Sequence, residues 1–440
     1  VSSLKNLDAV IIVDDANINK SEIDYSYILF QNFGKKSKLK FTKFPFSHPS
    51  YILYTSGTTG APKAIVHSIG GTILQHFKEH KLHNDLKSHD RIMWYTNIAW
   101  MMYHWVVSSL GCNATLVLYD GVPITKKNNN LDGSLLWKVA DKEKLTHLGI
   151  SPKYISTLED INEKPINKYN INSLRWLLAA GSPVAPSQFD WIYKYIKKDI
   201  GFASISGGSE VLACFMLGSP LHPVRRGELT VKGLGMSVEI FNSNDDSVIG
   251  VPGDLVCTEP FPSMPITFWG KDGDARYKKT YFEERKEIWT HGDLAELKPH
   301  GSGVIYGRTD NTLNPGGVRI GTAEIYNICE LFTEIEDCLV FSNQINNDEE
   351  IILCLKISQN NKLDNTLSKI IRSRIRENAS PRHVPRKIYE VTDIPYTMNG
   401  KRVEGAAKWM LAGKKVPNLS SISNPECLKQ YAKLNNKKAL

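Results

Sequence analysis

The sequence lacks any uninterrupted apolar run long enough to cross a bilayer: its most apolar stretch, Trp100 to Tyr119, is broken by His104, Ser108, Ser109 and Asn113. No positively charged start followed by an apolar core marks a secretory leader. Cysteine is sparse, and the seven residues, at 112, 214, 257, 329, 338, 354 and 427, form no CxxC spacing and are odd in number. Such usage points to reduced thiols and a cytosolic chain. With 31 glycines and 21 prolines among 440 residues, and no internal repeat, a fibrous or low-complexity chain is excluded. What is present, 41% apolar, 23% charged and 10% aromatic residues, is enough to fold as two or three domains. Lys and Arg number 54 against 46 Asp and Glu, a net charge of +8 that suits either an anionic ligand such as a nucleotide or scattered solvated lysines. The first residue is Val1 rather than Met, so a processed chain or a fragment is expected.

Short β-rich runs alternate with helical patterns through the first three hundred residues: DAVIIVDD (8 to 15), SYILYT (50 to 55), ATLVLYD (114 to 120), HLGIS (147 to 151) and RWLLAAG (175 to 181). This alternation predicts an α/β fold with buried, largely parallel strands. Between about 226 and 307 the texture changes to strands separated by turns, which predicts a more antiparallel, β-rich subdomain. A Gly/Asn/Pro-rich passage then introduces a smaller unit, with helices at EIYNICELF and LSKIIRSRIREN and strands at EDCLVFSNQ and EEIILCLKIS. The composition shift places a boundary near Asp310, giving a domain over 1–309 and a small α+β domain over 310–440. In the basic helix the apolar positions are 367, 370, 371 and 375, and the last twenty-odd residues read as weakly ordered.

The strongest local signal is YILYTSGTTGAPKAIVH, residues 51 to 67, where a strand runs into Ser56, Gly57, Thr58, Thr59 and Gly60 and then Lys63. Small residues let backbone N–H groups approach a phosphate, and hydroxyls with a lysine add donors and charge. A nucleotide-phosphate loop follows, with a flexible surface turn as the alternative. A Walker A loop is excluded, because Lys63 lies between Pro62 and Ala64 and no Ser or Thr follows it. Near the other end, IPYTMNGKRVEG (394 to 405) projects Lys401 from a turn at Asn399 and Gly400. Lys401 could neutralise an anion made in a neighbouring cleft, or be an ordinary hairpin lysine.

Together with AAGSP (179 to 183), GGSE (207 to 210), GDL (292 to 294), GRTDNTLNPGGVRIGTAEIYN (307 to 327) and NGK (399 to 401), the phosphate loop resembles the motif set of the adenylate-forming superfamily, over about residues 45 to 410. That resemblance implies a large α/β AMP-binding domain and a small mobile C-terminal domain. It also implies a two-step reaction, in which ATP and a carboxylate give an acyl adenylate and coenzyme A then displaces AMP. Thr55, Ser56, Thr58, Thr59 and Lys63 match the loop that holds the β- and γ-phosphates, and Glu210 matches the Mg2+-associated glutamate. Gly181, Ser182 and Pro183 match the adenine-edge segment, Asp293 the ribose-binding carboxylate, and Arg308 and Arg319 arginines that contact ribose and phosphate. Lys401 matches the lysine needed for adenylation and Asp310 the hinge, while Gly316 and Gly317 border the pantetheine channel. Arg376, 25 residues before Lys401, matches an arginine that touches the coenzyme A nucleotide, although a solvated helix-face arginine fits it equally.

Within the superfamily, WYTNIAWMMYHWVVSSLGCNATLVLYDG (94 to 121), SISGGSEVLACF (204 to 215) and SPRHVPRKI (380 to 388) look like the acetoacetyl-CoA synthetase branch. The resemblance implies acetoacetate as the acid, with ATP, Mg2+ and coenzyme A. The acetyl-CoA synthetase branch carries a Trp three residues before its glutamate; here that position is Gly207, which leaves space for a longer acid, opposite Trp100, Met101 and Met102. A widened pocket also admits other short acids, and Trp and Met residues also simply pack cores. Two departures stand: GGSE carries Glu where the branch has Asp, and Ala61 and Ala64 replace a charged residue and a glycine. Family members have a far longer segment ahead of the phosphate loop than the fifty or so residues here, so the large domain is expected to lack its N-terminal part. An inactive nucleotide-binding fragment is the reading from another class.

Overall fold

In the computed structural model of the chain the described residues are 9–12, 28–34, 38, 40–55, 63–127, 130–309, 313, 320–345, 348–359, 361–398, 400–416, 419–434, 437 and 439–440. Contacts divide the chain into two compact units, Val1–Pro45 and Phe46–Leu440. In the first, β1 (Ile11–Ile12) and β2 (Ile28–Leu29) pair in parallel.

The second unit opens with β3 (Pro49–Thr55) and β4 (Lys63–Ser68), an antiparallel pair in which Thr55 faces Lys63. Ser68 ends the pair, and its hydroxyl accepts the Gly71 amide to cap α1 (Ile69–Lys78). Strands and helices then alternate: β5 (Arg91–Trp94), α2 (Met101–Val107), β6 (Thr115–Leu116), a small hairpin of β7 (Thr125–Lys127) and β8 (Asn130–Asp132), α3 (Leu135–Lys142), β9 (His147–Ile150), α4 (Pro152–Asp160), β10 (Trp176–Ala179), α5 (Pro186–Tyr195) and β11 (Gly201–Ser204). Five of these strands form one parallel sheet in the order β11-β10-β9-β5-β6. Strands β9 and β10 are buried at every position, as a sheet covered on both faces requires. Alternation sends Leu177 and Ala179 into a core with Trp137, Ile155 and Phe189, and Trp176 and Leu178 into a second core with Met102 and Trp105. Chain order reverses between β5 and β9, so the crevice expected of such a sheet lies beyond the carboxyl ends of these two strands.

The sequence SYILYT does not join the parallel sheet. It is the edge of a separate three-stranded antiparallel sheet, β17 (Thr267–Phe268), β4, β3. Periodicity reveals that a segment is extended but not which strand it pairs with, and the return of the chain through Lys63 supplies β3 with an antiparallel neighbour. A further sheet joins β12 (Ser206–Gly208), β13 (Ala213–Leu217) and β14 (Val231–Lys232). Strands β15 (Val238–Phe241), β16 (Gly253–Cys257), β18 (Trp289–Leu297) and β19 (Gly303–Arg308) form an antiparallel sheet that shares a core with α6 (Gly273–Phe282).

Toward the C-terminus, α7 (Thr322–Cys329) precedes the hairpin β20 (Ile335–Ile345) and β21 (Asp348–Ile357), and α8 (Asn365–Asn378) leads to β22 (Lys387–Glu390), parallel to β21. On α8, Leu367, Ile371 and Ile375 are buried but Ile370 is exposed, so the apolar stripe is narrower than the spacing suggested. After α9 (Glu404–Leu411), α10 (Leu428–Tyr431) corrects the expectation of a weakly ordered tail. Leu428, Tyr431 and Leu434 are buried against Leu339, Phe341 and Tyr389. All seven cysteines are buried and unpaired. Among the described residues no helix is long and apolar enough to cross a membrane.

Candidate functional site

Several motif residues meet where β4, the loop after β11, and the β18–β19 pair come together. Asp293 on β18 lies directly across from Arg308 on β19, and the guanidinium donates from Nη1 to Oδ1 at 3.1 Å. His291 lies two residues earlier on the same strand, its Nε2 3.6 Å from Asp293 Oδ2 and its ring 4.6 Å from that of Phe215. Lys63, at the start of β4, holds its ammonium 5.4 Å from the centre of the Tyr281 ring. That ring is fixed by stacking on Trp289, with centroids 3.8 Å apart and planes at 13°. A cavity of about 320 Å³ opens here, lined by Lys63, Tyr281, Thr290, His291, Gly292 and Arg308 among others.

Glu210 faces this cluster from the turn after β12. Burial pushes its carboxyl upward, but His291 when protonated, Arg308, a backbone hydrogen bond and Lys63 outweigh it and hold the carboxyl below its ordinary value. His291 itself is lowered, chiefly by burial, and is therefore neutral near pH 7. The standing cations opposite Glu210 are thus Arg308 and Lys63. Burial raises the Tyr281 hydroxyl, so it remains protonated, and neither its oxygen nor His291 Nδ1 has a hydrogen-bond partner among the described residues. The same holds for Thr55 Oγ1, at the strand end facing Lys63. Lys63 and Arg308, with spare donors beside them, can accept a polyanion, and Glu210 a hard cation that arrives with it.

The other predicted residues lie at varied distances from this cluster. Gly181 follows β10 with φ +112°, a conformation open to glycine, and the point its Cβ would occupy is 4.0 Å from the Trp100 ring. Ser182 and Pro183 beside it are exposed. Trp100 is half-buried at the start of α2, at the switch point of the parallel sheet, whereas Met101 and Met102 are buried in the core beneath that sheet. Gly207 is placed differently from the expectation of vacant space. A Cβ there would lie 2.8 Å from Cys214 Cα and 2.9 Å from the Ala213 carbonyl carbon, and closer still to the Ala213 oxygen. The close pairing of β12 with β13 therefore demands glycine, whatever room it also leaves.

Lys401 is exposed on a turn closed by hydrogen bonds from Thr397 N to Lys401 O (2.8 Å) and from Lys401 N to Thr397 Oγ1 (3.1 Å). It does not line the cavity, and neither does Arg376, which is exposed on α8. Ser56, Thr58, Thr59, Asp310, Gly316, Gly317 and Arg319 lie outside the described residues. Sequence reasoning missed His291, Tyr281 and Trp289. Only His291 left a local signal, as the residue that opens HGDL; the two aromatics reach the site through packing that no short motif records.

Comparison with known proteins accords with this geometry. The AMP-binding enzyme family matches residues 2–264. The chain is 45% identical over 396 residues to the acetoacetyl-coenzyme A synthetase of Rhizobium meliloti, covering 90% of this chain and 60% of that protein. It is 42% identical over 443 residues to the acetoacetyl-CoA synthetase of Gallus gallus, covering 98% and 66% respectively. The solved structure of acetoacetyl-CoA synthetase from Streptomyces lividans superimposes with a TM-score of 0.89 at 36% identity, over 98% of this chain and 66% of that one. The chain thus spans 60% to 66% of the length of these three proteins. A family match over more than half its residues means that the chain belongs to the AMP-binding enzyme family.

Proposed function

We propose that this chain carries the ATP-dependent ligation of acetoacetate to coenzyme A through an acetoacetyl adenylate. The observation that supports it best is a cavity lined by Lys63 and Arg308, with Asp293 hydrogen-bonded to Arg308 and Glu210 held in the field of both cations, in a chain 45% identical to an acetoacetyl-coenzyme A synthetase. In the first half-reaction a carboxylate oxygen of the acid attacks the α-phosphorus of ATP, and the bond to the β-phosphate oxygen breaks to release pyrophosphate. In the second, the coenzyme A sulfur attacks the acyl carbon, the bond to AMP breaks, and the thiol proton leaves to solvent.

The residues divide this work by charge. Lys63, with Thr55 and the segment 56–62, holds the β- and γ-phosphates. Asp293, partly occupied by Arg308, accepts the ribose hydroxyls, and carboxylate acceptors bind such donors strongly. Arg308 lies between ribose and phosphate, and Gly181, Ser182 and Pro183 flank the adenine. Magnesium is commonly held by one or two carboxylates together with substrate phosphates. Glu210 would hold it, and the ion would offset negative charge on the phosphate oxygens. Lys401 reaches this site only after the part of the chain from Asp310 onward rotates, and Arg376 then belongs to the coenzyme A nucleotide. Acetoacetate occupies the crevice beside Trp100. Buried, unpaired cysteines support a reducing compartment, the cytosol, for these water-soluble reactants.

The test is AMP release by the purified chain. Release that requires acetoacetate, Mg2+ and coenzyme A together supports the proposal; release with acetate or butyrate but not acetoacetate overturns the substrate, and none with any acid overturns the activity.

A further inference from the structure

Strand β4 carries more than Lys63. Alternation puts Lys63, Ile65 and His67 on one face, and Ile65 packs in the same core as Val211, one residue beyond Glu210. At the end of that face the fully buried His67 directs Nε2 at the Ser209 carbonyl, 2.9 Å away, while its Nδ1 has no partner among the described residues. A carbonyl only accepts, so Nε2 carries the proton. His76 on α1 acts alike on the other side of the turn, donating from Nε2 to the Leu212 carbonyl at 2.6 Å, with its Nδ1 3.0 Å from the Ser108 hydroxyl. These two carbonyls bracket Glu210 and Val211. Leu212 holds φ +48°, which a leucine adopts only under constraint. Two buried donors thus secure a turn that its own sequence disfavours.

We infer that His67 is a positioning residue for Glu210: by donating to the Ser209 carbonyl it fixes the turn that presents the Glu210 carboxylate to the Lys63 and Arg308 cluster, and so to a magnesium-bound nucleotide. The inference rests on the nucleotide role proposed for Glu210. Burial lowers His67 to about 4, so the imidazole is neutral at working pH and acts by donation rather than by charge. A glutamine at this position can offer an amide N–H to the same carbonyl, whereas a leucine fills the volume and donates nothing.

The experiment compares wild type, His67→Leu and His67→Gln by amide hydrogen exchange and by ATP affinity with and without Mg2+. His67→Leu should exchange the amides of residues 208–212 about tenfold faster and lose about tenfold of the gain in ATP affinity that Mg2+ confers, with Mg2+-free affinity and the protection of β15 and β16 unchanged. His67→Gln should restore both to within about threefold. A folded His67→Leu with wild-type exchange at 208–212, or a His67→Gln as impaired as the leucine variant, overturns the inference. Should His67→Leu not fold, His67→Gln decides: wild-type protection of the turn supports donation and lost protection refutes it. A wild-type chain that binds no ATP refutes the nucleotide role by itself, and the exchange measurement still decides whether His67 holds the turn.

Discussion

Replacing Gly207 distinguishes two reasons for a glycine beside the candidate acid site. If its purpose is to leave space, Gly207→Trp should shrink the pocket and favour a shorter acid. The backbone predicts otherwise. A Cβ at 207 meets Cys214 Cα at 2.8 Å and the Ala213 carbonyl carbon at 2.9 Å, against 3.4 Å for an ordinary contact. Strand β13 would have to retreat by at least about 0.6 Å, and more to clear the carbonyl oxygen, within an interior packed as densely as a crystal. Its five residues are all buried and Phe215 lies at the centre of a core, so the shift would propagate. Overpacking of this kind costs about 1–3 kcal/mol. Gly207→Ala should therefore lower the first thermal transition by about 4 °C, taking roughly 2 °C per kcal/mol for a long chain. Gly207→Trp should fail to fold or unfold far below wild type. Calorimetry of both variants, with acid preference measured by AMP release wherever the protein is folded, is the assay. An alanine variant that melts within about 1 °C of wild type would refute the close approach. A folded tryptophan variant that prefers acetate would restore pocket volume as the sole reason for glycine.

Other perturbations test other parts. Asp293→Asn removes the charged acceptor and should weaken AMP and ATP binding by roughly 10- to 100-fold, read by calorimetric titration, since a hydrogen bond to a charged group contributes about 1.5–3 kcal/mol; a change under about twofold would contradict the ribose role. Lys401→Ala should cut ATP–pyrophosphate exchange by about 100-fold or more while thioester formation from preformed adenylate stays within about threefold, and equal loss in both half-reactions would contradict the role assigned to it. Glu159, on α4, is raised from 4.5 to about 7 by burial and by the charges of Asp160 and Glu330. A raised folded value gives stability that is full below the unfolded value of 4.5 and lost as pH rises through about 7, so Glu159→Gln should melt higher than wild type at pH 8 and equally near pH 4. An equal difference at both pH values would sink that assignment.

The elements that sequence made legible are those whose information is local. HLGIS and RWLLAAG are short apolar runs bounded by turn residues, and both lie in the parallel sheet as strands buried on both faces. Ser68, Ser151 and Asp364 each accept the amide three residues on, so the starts of α1, α4 and α8 are written in the chain itself. What was not legible depends on partners distant in sequence or hidden by burial. SYILYT reads as a buried strand yet leaves Tyr54 exposed on an edge, because its pairing is set by the return through Lys63. The requirement for glycine at 207 lies in the path of Ala213 and Cys214. His67 and His76 carry no motif, and their purpose emerges only where β4, α1 and the turn after β12 meet. Lys63, Glu210, Asp293 and Arg308 were found through motifs, but the ring stack that fixes Tyr281 under Lys63 was not.

The residues that flank the Lys401 turn are anchored in a buried network. Tyr396 and Arg402 bridge across it, and both side chains converge on Asp337 of β20: the Tyr396 hydroxyl donates to Oδ2 at 2.5 Å and Arg402 Nη2 to Oδ1 at 3.0 Å. The Arg402 guanidinium also covers the Tyr326 ring at 4.2 Å and reaches Glu330 at 3.4 Å. Burial pushes Asp337 upward, but Lys153 and Arg402 overcome it and hold the carboxylate ionised. Lys153 belongs to α4, and its ammonium is 3.9 Å from Asp337 Oδ2. Rotation of the C-terminal part away from α4 would remove this long, half-exposed contact and leave Arg402 and Tyr396 in place. Lys401 would then move without its turn being rebuilt. Under the proposed function, the Lys153–Asp337 ion pair is one surface contact that such a rotation would break, while the buried network of Tyr396, Arg402 and Asp337 would travel with Lys401.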